Sequence, residues 1–272
     1  MRIINIPTNY YQQFDADYSL DVPGEGYGGW KKARLELDLD HTAVVVMHAM
    51  DYGTKEQVPG LFNACQYIPN AYRVGQDIFP GLLGAIRNSD LKLFHVVSGG
   101  SYYQDLPGYK KMLEVVPNDK KLEQIAPDPV YTRLKEFKRD YGFPGKHNLP
   151  SYDVYEKIGK FPAEAVPEDD EEIFENEDQL FEVCKKYEIN HLIYVGFNVN
   201  WCMQFSPGGI MHISKRGILC STIRQAVTAV ENKETARNEL GKEQALWTIA
   251  VGFGLIYDLE DFVTAITPKV KA

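Results

Sequence analysis

Short runs of β-branched and aromatic residues alternate along the chain with stretches whose apolar residues fall three and four apart. The runs are 42–47 (TAVVVM), 91–97 (LKLFHVV), 152–156 (YDVYE), 191–196 (HLIYVG), 217–223 (GILCSTI) and 253–257 (FGLIY). Continuous apolar runs of this length suit strands covered on both faces, and their alternation with helices is the pattern of βαβ units. Between them, "DIFPGLLGAIRNSD" puts Ile78, Leu82, Leu83 and Ile86 at helical spacing. "NEDQLFEVCKKYEI" does the same with Leu180, Phe181, Cys184 and Tyr187, acidic at its start and basic near its end, as the helix dipole favours. "TARNELGKEQALWTIAVGFG" reads as a further helix closed by Gly252 or Gly254. The pattern predicts an α/β protein with a three-layer Rossmann-like fold, its central, mostly parallel sheet of about six strands flanked by helices.

Two regions depart from the alternation. Residues 1–40, rich in Tyr, Asp and Gly, read as an N-terminal arm lying over the domain or over a partner subunit. Residues 41–272 then form one domain. Within it, 99–150 is too long for an ordinary connection and is expected to be a lid-like insertion with short helices. The acidic "PEDDEEIFENED" (167–178) reads as a solvated loop and helix start, since its carboxylates have no fixed spacing and no histidine among them.

Composition narrows the partners. The 272 residues suffice for one large domain, and 29 Lys and Arg against 38 Asp and Glu give a formal charge of −9. That balance argues against nucleic acid and anionic membranes and for a small-molecule or protein partner. Four cysteines, Cys65, Cys184, Cys202 and Cys220, show no metal-finger spacing or disulfide framework. No membrane span and no leader pattern stand out, so a soluble, cytoplasmic protein is expected.

In open parallel sheets, ligands bind beyond the carboxyl ends of the strands. Four such places carry chemistry: His48 and Asp51 after the first run, Ser98 and Gly99 after the second, Lys157 after the third, and "GFNVNWC" (196–202) after the fourth. A thiol, a cation and a proton acceptor converging on one crevice make a nucleophile, because a nearby positive charge lowers a cysteine pKa.

"HLIYVGFNVNWCMQF" resembles the strand, turn and nucleophile segment of the isochorismatase-like cysteine hydrolases. "TAVVVMHAMDYG" resembles their first strand, "VVVSGG" with the helix before it their second unit, and "VYEKIGKF" the segment carrying their lysine. "QAVTAVENKET" and "GFGLIYDLEDFVTAI" are similar to their closing strand, helix and final strand, so the likeness runs over roughly residues 40–267 outside the insertion. The resemblance implies an Asp, Lys and Cys triad that forms a thioester with a small amide or related carbonyl compound. Cys202 matches the nucleophile. Lys157 matches the lysine, with Lys160 close enough to compete. The family's unusual cis peptide, which aims backbone amides at the oxyanion, maps to Phe197–Asn198. The resemblance also implies a homodimer or homotetramer.

At the family's catalytic Asp position this chain has His48, and at the following Gln position Met50. Three readings stand: His48 replaces the carboxylate as base, Asp51 reaches back into the crevice, or the triad is broken and the protein is a catalytically inactive homologue serving small-molecule binding or assembly. Free cysteines are commonly small buried hydrophobes, and Cys65, Cys184 and Cys220 are read that way. Trp201, Tyr102 and Tyr103, with Phe205, are candidates for the wall of a substrate pocket. The stretch "QVPGLFNACQYIPNAYRVG" lacks the histidines with which some family members hold a metal, and no nucleotide fingerprint occurs, so no metal and no cofactor are predicted.

Overall fold

A computed structural model describes residues 2–64, 67–116 and 124–268. Among these, eight strands form one sheet: β1 (Ile3–Gln12), β2 (Gly29–Asp38), β3 (Thr42–Met47), β4 (Lys92–Val96), β5 (Ile173–Phe174), β6 (His191–Gly196), β7 (Leu219–Val227) and β8 (Ile256–Tyr257). The helices that precede the acidic stretch are α1 (Pro59–Ala64), α2 (Tyr67–Arg73), α3 (Phe79–Arg87), α4 (Pro107–Val115), α5 (Pro129–Tyr141) and α6 (Leu149–Ile158). Those that follow it are α7 (Glu177–Lys186), α8 (Cys202–Phe205), α9 (Ile210–Ser214), α10 (Leu240–Gly252) and α11 (Leu259–Ile266).

The strand order is β2-β1-β8-β7-β6-β3-β4-β5. From β8 to β5 all neighbours are parallel, while β1 runs antiparallel to both β2 and β8. All six residues of β3 and all six of β6 are buried, as strands at the centre of a parallel sheet must be. Side chains alternate across the sheet. Val44, Val46, Ile193 and Val195 face a core shared with α3 and α11, whereas Val45, Met47, Leu192 and Tyr194 face one shared with α7, α9 and α10.

The sheet has eight strands rather than about six. The two additional long ones come from residues 3–38, which form a hairpin of ten registered pairs that joins the sheet where Asn9 meets Ile256. Pro7 and the mixed Tyr, Asn and Gln content hide β1 from a search for apolar runs, and a strand paired so briefly on one side tolerates both. The 152–156 run is no strand: Pro150 in the first turn and Gly159 at the C-cap, with φ +38, bound the helix α6. Tyr152, Tyr155 and Ile158 are spaced for its inner face, a period too long to register in a five-residue window.

The acidic stretch is only partly solvated. Asp169 and Asp170 are exposed, but Glu171 accepts from Arg87 Nε (2.7 Å) and lies 2.7 Å from His95 Nε2. Glu172 is buried and accepts from the Tyr187 hydroxyl. Glu171 ties the β5 edge to β4 and α3, and Glu172 ties it to the end of α7. The 99–150 segment carries α4, whose Tyr109 and Met112 are buried, and α5, which buries no residue.

Candidate active site

At the carboxyl end of β6 the chain makes a turn held from two sides. Gly196 has φ +111, and a Cβ there would sit 2.3 Å from the Met47 carbonyl oxygen, so this position admits only glycine. The Phe197 amide donates to that same oxygen (3.0 Å), and the Phe197–Asn198 peptide is cis. Asn198 Oδ1 accepts from Thr228 Oγ1 (2.7 Å), and the Val199 amide donates to the Thr228 carbonyl (2.7 Å). The Asn198 carbonyl takes the amides of Trp201 (3.1 Å) and Met203 (3.0 Å). Asn200 exchanges two hydrogen bonds with Val230, and Gln204 Nε2 donates to the Val199 carbonyl. Cys202 opens α8 directly behind this turn. The amides of Asn198 and Cys202 donate to no other group among the described residues.

Burial separates the cysteines. Cys184 and Cys220 are buried, and burial pushes each thiol up to about 12, so both stay protonated at neutral pH. Cys202 is part-exposed. Cys65 lies outside the described residues.

Two tyrosines stand near Cys202. Burial, above all, raises the Tyr52 and Tyr155 hydroxyls well above their ordinary value. Their rings stack with centroids 5.6 Å apart. Phe197 packs on Tyr52 (6.2 Å) and Phe79 (5.7 Å). Tyr102 lines a cavity of about 490 Å³ with Met50, Ser98, Gly99, Tyr152 and Tyr155. Its hydroxyl is buried with no hydrogen-bond partner among the described residues, and burial pushes its pKa up to about 12. Tyr103, beside it, is buried and spends its hydroxyl on Glu175 Oε1 (2.5 Å), so it supports Tyr102 from behind. Trp201 is 51% exposed, and Phe205 is exposed as well.

His48 ends β3 with φ +49, in the left-handed region that costs a non-glycine residue about 1–2 kcal/mol. Its amide donates to the Val96 carbonyl (2.9 Å), and its ring is buried. Burial alone lowers the imidazole pKa to about 4, so the ring is neutral at physiological pH. No hydrogen bond joins it to the Cys202 sulfur among the described residues. Asp51 lies on the flank of the next turn: Oδ1 accepts from the Gly53 amide (2.8 Å) and the Tyr72 hydroxyl (3.2 Å). Its Oδ2 is 3.1 Å from Lys160 Nζ, and its amide donates to the Lys160 carbonyl. These groups border a second cavity of about 400 Å³ that Phe197 also lines. Of the two candidate lysines, Lys160 is therefore the one joined to Asp51. Lys157 sits exposed in the last turn of α6.

Three residues escaped the sequence reading. Tyr52 and Tyr155 stack near Cys202, and Glu175 stands at the carboxyl end of β5, holding Tyr103. A signal existed for Tyr155 in the three-residue spacing of Tyr152, Tyr155 and Ile158. Glu175 follows a strand of only two residues, too short to show in the pattern.

No protein-family model matches the chain, and no curated protein matches it in sequence. Solved structures do match in fold. A cysteine hydrolase from Pseudomonas syringae pv. phaseolicola 1448A superposes with a TM-score of 0.52 at 15% identity, covering 85% of this chain and 94% of that one. An isochorismatase-like hydrolase from Alkaliphilus metalliredigens gives 0.48 at 13% identity, covering 84% and 97%. At such identities the likeness establishes the architecture: this chain has the α/β fold of the first of these proteins, with a central, mostly parallel sheet between helical layers.

Proposed function

We propose that the protein is a cysteine hydrolase of the isochorismatase-like kind, acting on a small amide or related carbonyl compound. The observation that carries this reading is the placement of Cys202: part-exposed, directly behind a turn fixed by hydrogen bonds from β3 and the end of β7, with the amides of Asn198 and Cys202 unspent. Two fixed N–H groups beside a thiol are what an oxyanion developing on an attacked carbonyl requires. Cys202 attacks the carbonyl carbon, the leaving nitrogen departs with a proton, and water then releases the acid from the thioester. His48, neutral and at a strand end, takes the thiol proton and returns it to the leaving group. Lys160 and Asp51 form the charged flank, and Lys157, exposed on α6, stands outside it. Tyr102 offers its hydroxyl to the substrate, while Tyr52, Tyr155 and Trp201 supply its apolar walls.

The lack of a hydrogen bond between the His48 ring and the Cys202 sulfur favours a second reading, in which the crevice binds a small molecule and does not turn it over. One experiment separates the two. The alkylation rate of each cysteine is followed against pH by peptide mass spectrometry in the native chain and in His48→Gln, with Cys184 and Cys220 as internal controls. On the hydrolase reading Cys202 alone reacts fast below the ordinary thiol pKa of about 8.5 and slows without His48. A Cys202 that reacts no faster than a free thiol, with or without His48, overturns that reading in favour of binding.

A further inference from the structure

The helix α5 has little support among the described residues of its own chain. None of its thirteen residues is buried, it packs extensively on no other described element, and only its last turn is tied, by the Gly145 and Lys146 amides, to the turn that follows. Isolated helices of this length are marginal in water, so a helix held this way needs a surface to lie on. Its apolar residues are not scattered. Val130, Leu134, Phe137 and Tyr141 follow one another at spacings of four, three and four, the seam of a coiled coil, and they are between 53% and 79% exposed. Elsewhere such a stripe marks a binding surface.

We infer that α5 is the contact of a two-fold dimer in which it packs antiparallel against α5 of a second copy of this chain, an inference independent of the hydrolase reading. The seam is complementary to itself. An axis between Lys135 and Glu136 sets Leu134 against the partner's Phe137 and Val130 against the partner's Tyr141, two distinct layers each made twice, as an isologous contact requires. The flanking positions match in charge. On one side Arg133 meets the partner's Asp140, twice by symmetry; on the other Lys138 lies over the ring of the partner's Tyr131. Asp140 is at present bonded by its neighbour Arg139 (2.8 Å), which leaves its second oxygen for this contact. Arg133, Lys135, Lys138 and Arg139 against Glu136 and Asp140 leave α5 positive, so beyond the two Arg133–Asp140 pairs the contact brings like charges together, a cost that added salt screens.

The area is sufficient. With about 150–250 Å² for a whole aromatic side chain and somewhat less for Val and Leu, the stripe offers roughly 500 Å² per copy, and a pair buries about 1,000 Å², the threshold of a specific interface. A contact of that size is at the lower bound for a specific interface, where reversible association is expected. It also reaches the candidate site: Phe143, just beyond α5, packs edge-on against Tyr152 (6.0 Å), and Tyr152 packs on Tyr155 of the pocket wall (5.7 Å).

The test is sedimentation equilibrium of the full chain from about 1 to 100 µM, a range in which reversible association is read. The native chain is expected to fit a monomer–dimer equilibrium. Leu134→Glu with Phe137→Glu, both at exposed positions, raises the dissociation constant by roughly a hundredfold or more, since each change is felt twice. Arg133→Asp and Asp140→Arg each weaken the dimer by roughly fivefold through like charges, and the two together restore it. A chain that remains monomeric throughout overturns the inference and leaves the face to another protein or to the body of its own chain. Association that survives the glutamates, or that the double charge exchange fails to restore, overturns it equally.

Discussion

The turn after β6, which leads into Cys202, and the wall formed by the cluster of Tyr52, Tyr152 and Tyr155 near it are held by different forces. The turn is fixed by hydrogen bonds: the Met47 carbonyl and the Thr228 carbonyl each take one, the Thr228 hydroxyl gives one, Val230 both gives and takes one, and its residues from Phe197 to Val199 are buried. The wall is fixed by ring contacts, Tyr52 on Tyr155, Tyr155 on Tyr152, Tyr152 on Phe143, and its outer helix touches little. Hydrogen bonds are directional and rings are adaptable. A reacting group that must stand within a few tenths of an ångström of its target belongs on the first kind of support. A surface that has to fit one substrate among many similar ones can use the second.

The comparison breaks most completely at Gly196. Replacement by alanine forces a Cβ to within 2.3 Å of the Met47 oxygen, at a φ of +111 that only glycine adopts without strain. The atoms it meets are all Met47 backbone, in a central strand pair, and cannot yield. Gly196→Ala is expected to destabilise the chain by more than about 4 kcal/mol, seen as a collapse of the thermal melting temperature. Tyr155→Leu, an equally large change to the wall, should cost about 1–2 kcal/mol because its stacked neighbours can close in. Comparable losses for the two would erase the distinction.

Next in size is a pH effect carried by His48 at the end of β3. Its folded pKa of about 4 lies below the ordinary 6.5, so below pH 6.5 the unfolded chain binds a proton that the folded chain refuses. Stability therefore falls as pH drops from 6.5 towards 4 and levels beyond it. Each such histidine contributes a slope of about 1.4 kcal/mol per pH unit inside the window. His191, also buried and held at about 4, adds a second. Urea unfolding of His48→Gln at several pH values should show the native slope reduced by one proton's worth and His191's share intact. An unchanged slope would mean that the His48 ring takes its proton in the folded state.

How far these parts were visible in the sequence follows the same division. β3 and β6 announce themselves because a strand covered on both faces has no room for polar residues, and the segment that follows β6 draws attention to Cys202. The hairpin of residues 3–38 was hidden because most of its surface pairs with itself, so neither strand needs an apolar run. Lys157 was assigned to a strand end because YDVYE alternates over five residues; in α6 the same residues turn it outward and hand the contact with Asp51 to Lys160. The acidic stretch concealed Glu171, Glu172 and Glu175, since a carboxylate that pairs with a buried histidine or tyrosine looks, in one dimension, like one that faces water. The pinning of the turn by Thr228 spans thirty residues and leaves no local trace.

A smaller change sharpens the first half of the comparison. Thr228→Val keeps the shape and leaves Asn198 Oδ1 buried without its donor, at a cost of about 1–3 kcal/mol. Its effect on the alkylation rate of Cys202 should exceed its effect on the controls Cys184 and Cys220, because the hydrogen bond it removes positions the turn before the thiol. On the other side, Tyr103→Phe removes the support that Glu175 gives to the wall and should cost about 1 kcal/mol, with Cys202 alkylation unchanged.

The smallest effect is the most informative about the charged flank. Lys160 is 64% exposed and pairs with an Asp51 that already has the Gly53 amide and the Tyr72 hydroxyl, so Lys160→Met should change stability by no more than about 0.5 kcal/mol. A surface ion pair of that kind adds little to the fold. A lysine that supports a thiolate has a different signature: its removal slows alkylation of Cys202 and moves the pH at which the rate reaches half its maximum upward, while the melting temperature holds. Lys157→Met, one turn earlier on α6 and pointing to solvent, is the matched control and should do neither. If Lys157→Met alone shifts the profile, α6 must roll to bring that residue in, and the wall rather than the turn then sets the reactivity of the thiol.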